Sequence, residues 1–197
     1  MAPGTLAKLA RLLGLLLAFG CAAAVAQRPE PERDPARARR AELAWQAGYV
    51  LHMLRDYERA IEQFRASIAI LPSAEAHTFL GWSMSHLGRF QEAIEQCKIA
   101  IKLDPDFGNP YNDIGVYLVQ LGRPEEAIPF LEKAIASRRY CCYHFAHTNL
   151  GRIRLAQGDL EAAKHHFERA LEHEPDYPPA KEALEEVRRQ RARGTRA

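Results

Sequence analysis

An all-α solenoid of four helix-turn-helix hairpins, closed by one further helix, is the fold class this sequence predicts. Three observations predict it. The chain aligns with itself in four registers, begun at Ala41, Ala74, Gly108 and His144, at offsets of 33, 34 and 36 residues. Small residues return at matching places in each register, where two helices can cross closely. Turn residues and prolines recur between the apolar runs.

The elements follow in chain order. Lys8 and Arg11 precede an apolar run from Leu12 to Val25 that ends in Ala24-Val25-Ala26. A basic start, a short apolar centre and an Ala-x-Ala end make residues 1–26 a signal peptide, and the chain is expected to be exported. The run is short for a bilayer span, although Leu9 and Ala10 could lengthen it into an uncleaved anchor. Ala18-Phe19-Gly20-Cys21 resembles an imperfect lipobox, with Leu17 one place early, so Cys21 is a candidate lipidation site beside cleavage after Ala26. Residues 27–40 hold three prolines and almost nothing apolar, and are expected to form a flexible linker.

The repeats then run over 41–73, 74–107, 108–143 and 144–177. Each first helix carries a glycine: Gly48, Gly81, Gly115 and Gly151. Each second helix opens on an alanine: Ala60, Ala93, Ala127 and Ala163. A Cβ or larger group at such places would hold the helix axes apart. Four residues after each alanine stand Phe64, Cys97, Leu131 and Phe167, which fill the space that remains. Pro72, Pro105 and Pro175 stop three of the second helices. The third repeat departs from the pattern: it ends Ser137-Arg138-Arg139-Tyr140-Cys141-Cys142, two residues longer, and is expected to change the angle to the fourth hairpin. Residues 178–197 read as an amphipathic capping helix with Ala183, Leu184 and Val187 on the last hairpin, followed by a basic tail.

With Gly88-Arg89-Phe90-Gln91-Glu92-Ala93-Ile94 and Leu103-Asp104-Pro105, the pattern over Ala41 to Tyr177 resembles the tetratricopeptide-repeat (TPR) family. The resemblance implies first helices that line a concave groove for a protein or peptide. Matched outward from the core glycine, the expected partner-binding residues are Trp45, Tyr49, His52, Trp82, His86, Asn112, Val116 and Arg152, with Met53, Thr78, Ser85, Val119, Gln120, Thr148 and Leu155 around them. Trp45 and Tyr49 stand where a chaperone-binding carboxylate clamp would begin, which argues against that role. The run Asn112-Asp113-Ile114-Gly115-Val116-Tyr117-Leu118 is also similar to TPR lipoproteins that help type IV pilus secretins reach the outer membrane.

Composition and chemistry narrow the function. Lys plus Arg number 27 against 25 Asp plus Glu, and Lys8 and Arg11 account for the excess. Such a chain presents no broad cationic field for nucleic acid. No nucleophile-base-acid set, phosphate loop or paired-carboxylate cleft stands out, so no enzymatic role and no cofactor are expected. Cys141, Cys142, His144 and His147 form the one stretch resembling a ligand set for metal or haem. Its spacing suits neither a structural zinc site nor a haem attachment, and His147 takes the packing slot of His77 and Tyr111. The expectation is an exported scaffold, periplasmic or tethered to the outer membrane, touching membrane only through its N-terminus. A pilotin-like assembly factor and a metal- or haem-handling protein are the alternatives.

Overall fold

A computed structural model describes residues 34–194. The expected signal peptide, Cys21 and most of the expected linker lie outside the described residues. These form four antiparallel helix pairs and a last helix: α1 (Pro35–Met53) with α2 (Tyr57–Ile70), α3 (Ala74–His86) with α4 (Phe90–Leu103), α5 (Asn109–Gln120) with α6 (Pro124–Ala136), α7 (Tyr143–Ala156) with α8 (Leu160–His173), and α9 (Pro178–Gly194). Helix α1 takes over the final residues of the expected linker, from Pro35. Proline is at home in a first helical turn, and Ala36 to Arg40 are all good helix formers, so nothing ends the helix before Ala41.

The glycine seams explain why the pairs form. A Cβ on Gly48 would meet the Phe64 ring at 2.8 Å, on Gly115 the Leu131 side chain at 2.6 Å, and on Gly151 the Phe167 ring at 2.5 Å. Each glycine is therefore the space into which the large residue of the partner helix packs, and Phe64, Leu131 and Phe167 are fully buried. The second helices are strongly one-faced, with Ala60, Ala93, Ala127 and Ala163 buried toward the first helices. Caps fix the starts: Asp56, Ser73 and Asp159 accept from the amides of Arg59, Ala76 and Ala162. Arg89 and Arg123 instead fork onto Glu92 and Glu126, three residues into the helices that follow.

Each pair packs on the next, and the first helices α3, α5 and α7 also touch one another in series. Helix α1 joins α3 through Trp45 against Phe79 and through His52 on Ser83. The arrangement is the all-α TPR solenoid expected. Helix α9 covers its end with Ala180, Leu184 and Val187, packing on the buried Ala163 and Phe167 of α8.

The tight turns inside the last three pairs place Gly88, Gly122 and Gly158 at φ near +75°, where glycine pays no steric cost. The first pair has Arg55 there, at φ 64°. Arg55→Gly is expected to stabilise the chain by about 1 kcal/mol, the left-handed strain removed less the added chain entropy. Urea unfolding of the two forms measures it; equal or lower stability of the variant would show that the strain does not exceed the added chain entropy.

The long third joint does more than change an angle. Arg139 donates its amide to the Asp106 carbonyl at 2.8 Å, and Gly108 donates to the Arg139 carbonyl at 3.0 Å. This short parallel bridge ties the joint after α6 to the joint before α5. The Arg139 guanidinium pairs with Asp104 and with Glu75 on α3, and stands 5.0 Å above the Phe107 ring. Tyr140, the next residue, is thereby pressed onto Gly108 and turned inward, where it is buried.

Candidate functional site

A cavity of about 480 Å³ opens between α3, α5 and α7, bounded by the third joint. Its walls are aromatic: Phe79, Trp82, Phe90, Phe107 and Phe145 all line it. Helix α5 supplies the floor with Asn112, Asp113, Val116 and Tyr117, and the joint adds Tyr140 and Cys142. Helical spacing explains the floor, since residues three and four apart share a face and Asp113 sits beneath Val116 and Tyr117.

The expected residues divide. Trp82, His86, Asn112 and Val116 line the cavity. Trp82 keeps 36% of its surface exposed. Arg152 is exposed on α7, outside the lining. Trp45 and Tyr49 form a separate cluster at the α1 end: their rings stack at 5.6 Å, and both present edges to Phe79. Trp45 is half-buried there, so its ring serves packing of α1 on α3.

His52 departs from the expectation of an accessible groove residue. It is 3% exposed, its ring 4.0 Å from that of Trp82. The Ser83 hydroxyl donates to the Phe79 carbonyl, so the proton on the 2.9 Å bond between His52 Nδ1 and Ser83 Oγ comes from the imidazole. Burial, and His86 nearby, push the His52 pKa down to about 4, which keeps the ring neutral. Asn112 is also largely covered, its Oδ1 accepting from Asn149 Nδ2 on α7 at 3.2 Å. Thr78 and Thr148 are buried as well. Contact between successive first helices covers these positions.

The Cys and His set separates too. Cys142 lines the cavity, and its Sγ lies 3.0 Å from that of Cys141, which is exposed. Burial, together with Cys141, raises the Cys142 thiol to about 11. His144 packs on Phe145 and Tyr177. His147 is buried against α8, with Nδ1 3.2 Å from Nδ1 of His166. No group of three His, Cys, Asp or Glu among the described residues is placed to hold a metal ion.

Sequence reasoning missed Asp113, Tyr117 and Tyr140. Asp113 is the one charged residue of α5. Removal from water pushes its carboxyl up to about 7, with the Asn112 amide opposing weakly. That solitary charge in an otherwise uncharged first helix was the signal available. Among the described residues, no helix is long and apolar enough to cross a membrane.

Family models of the tetratricopeptide repeat match residues 74–107, 111–139 and 144–177, the second, third and fourth hairpins. The small glutamine-rich tetratricopeptide repeat-containing protein 2 of Mycosarcoma maydis is 32% identical over 82 residues, 41% of this chain and 23% of that protein. The chain thus spans about a quarter of that relative, and 31% of the Saccharomyces cerevisiae protein of the same name. Among solved structures, pilF of Pseudomonas aeruginosa superposes with a TM-score of 0.75 at 23% identity, over 80% of this chain and 72% of that one. At that identity the likeness speaks for the fold. The first TPR domain of Spaghetti (RPAP3), solved with the HSP90 peptide SRMEEVD, gives 0.56 at 26% identity, over 60% of this chain and 93% of that one. With three repeats matched in register and each seam packed as the pattern requires, the chain belongs to the tetratricopeptide-repeat family.

Proposed function

We propose that this chain is a non-catalytic interaction scaffold that holds a segment of a partner protein in the cavity between α3, α5 and α7. The observation that carries this reading is the cavity itself: aromatic walls, among them the partly exposed Trp82, left open by the solenoid. An open aromatic surface of this kind is where partner side chains gain most by leaving water. The family's repeats, and a neighbour solved with a bound peptide, support a peptide-like guest.

Export remains part of the proposal on the N-terminal pattern of Lys8, Arg11 and Ala24-Val25-Ala26. A pilotin-like role is the second reading, favoured by the Asn112–Leu118 run and by the fold likeness to pilF and to PilW, described as a type IV pilus biogenesis factor. Fatty-acid labelling with and without Cys21→Ala separates a lipid-tethered factor from a released one.

The groove itself is tested by placing a photo-crosslinking amino acid at Val116, and at Glu132 on the outer helix α6 as control. The expected result is a discrete adduct from Val116 alone, lost when Trp82→Ala is added while helical content stays the same. Equal adducts from both positions, or none from Val116, would remove the groove reading.

A further inference from the structure

The cavity floor holds three polar groups without adequate partners. Asp113 accepts one long bond, from Asn112 Nδ2 at 3.4 Å. The Tyr117 hydroxyl is buried and makes no hydrogen bond of good geometry; Ser85 beside it, whose own proton goes to the Trp82 carbonyl, can accept its proton but leaves the Tyr117 oxygen free to accept. The Tyr140 hydroxyl is likewise buried and makes no hydrogen bond of good geometry, with the Ala146 backbone as its polar neighbour. All three residues line the same cavity. No Lys or Arg lines it, and its one basic group, His86, has its pKa lowered by burial and by Arg55.

Buried polar groups without good partners cost stability, and a half-buried carboxylate without a cation adds to that cost. Around these three the walls are large aromatic side chains, with Trp82 and Phe145 partly exposed to the open cavity. The polar groups stand where a guest entering that space would complete them.

We propose that the cavity is a recognition pocket for one basic side chain, Lys or Arg, carried by the partner protein. Resting on the groove reading above, it names the chemistry of the guest. The ammonium or guanidinium group donates to the Asp113 carboxylate and to the hydroxyl oxygens of Tyr117 and Tyr140. The methylene stem lies among the rings of Trp82, Phe107 and Phe145; the faces of Trp82 and Phe145 also attract a cation, while Phe107 already carries Arg139. An acidic segment or a chain-terminal carboxylate meets Asp113 as a like charge and is excluded.

Selection from a random peptide library displayed on phage, against the wild-type chain and against Asp113→Asn, decides it. Wild type is expected to enrich peptides with Lys or Arg at one shared position, and the variant to lose that preference. In a synthetic enriched peptide, replacing the basic residue with norleucine should weaken binding about tenfold or more, and Tyr117→Phe should weaken the parent peptide in the same direction. Circular dichroism confirms that each variant is folded. Enriched peptides that lack a basic residue, or that bind Asp113→Asn equally, overturn the basic pocket and leave the groove reading standing. No enrichment above a Trp82→Ala control overturns both. Spermidine competing as strongly as the peptide would assign the pocket to free polyamines and overturn the protein-borne guest.

Discussion

Gly108→Ala is expected to destabilise the fold by about 3 kcal/mol, lowering the unfolding midpoint by roughly 8 °C. Gly108 has ordinary helical angles, φ −76° and ψ −25°, so alanine fits its backbone. The cost is steric. A Cβ there would lie 2.6 Å from Tyr140 Cγ and closer still to Tyr140 Cβ. Those atoms sit next to the main chain and cannot swing away. The main chains are themselves joined, by the Gly108 amide on the Arg139 carbonyl and the Arg139 amide on the Asp106 carbonyl. Relief would require opening this bridge and shifting Arg139, which pairs with Glu75 and Asp104. The useful control is Gly122→Ala, whose new methyl meets nothing within 4 Å but which strains a φ of +73°. That change should cost about 1 kcal/mol, so the ratio between the two variants isolates the steric part. Thermal unfolding followed by circular dichroism measures both. Equal losses would mean that Tyr140 does not rest on Gly108. The same variant should also weaken peptide capture, because Tyr140 closes one side of the cavity.

The seams were legible because they are local. Gly151 and Phe167 lie within one hairpin, and the same pair of chemistries returns as Gly48 with Phe64 and Gly115 with Leu131. Recurrence in four registers separates a packing rule from coincidence. What fails to be local was not legible. Whether a first-helix residue faces solvent depends on the neighbouring first helix, so His52 reads as a groove residue and proves covered beside Ser83 and Trp82, and Asn112 lines the cavity with most of its surface taken up by its contact with Asn149. Trp82 and Trp45 look equivalent in the alignment, yet Trp45 has α1 and Phe79 around it while Trp82 faces the cavity. The floor is furthest from the sequence. Tyr140 reaches it only because the third joint is longer and bridges to Phe107, a contact that no repeat pattern contains. A departure from the repeat thus marked the region where the candidate site lies, while its content depended on the pairing of two joints.

Asp113→Asn is expected to stabilise the folded chain above pH 7, by about 2 kcal/mol, while abolishing preference for a basic guest. The sign follows from the direction of the shift. The ordinary value is 3.8, and desolvation raises the folded carboxyl to about 7. Between those values the folded chain keeps a proton that the unfolded chain has released. The contribution of Asp113 to stability is therefore greatest below about pH 4, falls as pH rises toward 7, and is level beyond it, while buried histidines such as His52 contribute in the opposite direction in wild type and variant alike. The shift alone would imply more than 2 kcal/mol; Asp113 is only half-buried, and water within reach of the cavity reduces it. Cys97 on α4 and Cys142 in the joint titrate above their usual range, and Tyr117 and Tyr140 are displaced further upward, so these stay outside the window. His86 on α3, lowered by burial, titrates in wild type and variant alike, so the difference between the two isolates Asp113. Urea unfolding at pH 5 and pH 8 should show the variant gaining on wild type between them; a variant weaker than wild type at pH 8 would mean that the carboxylate already has a stabilising partner. A basic guest reverses the penalty in wild type alone, since it favours the ionised carboxylate. Its affinity should therefore rise with pH up to about 7 and then level, and should be flat in Asp113→Asn.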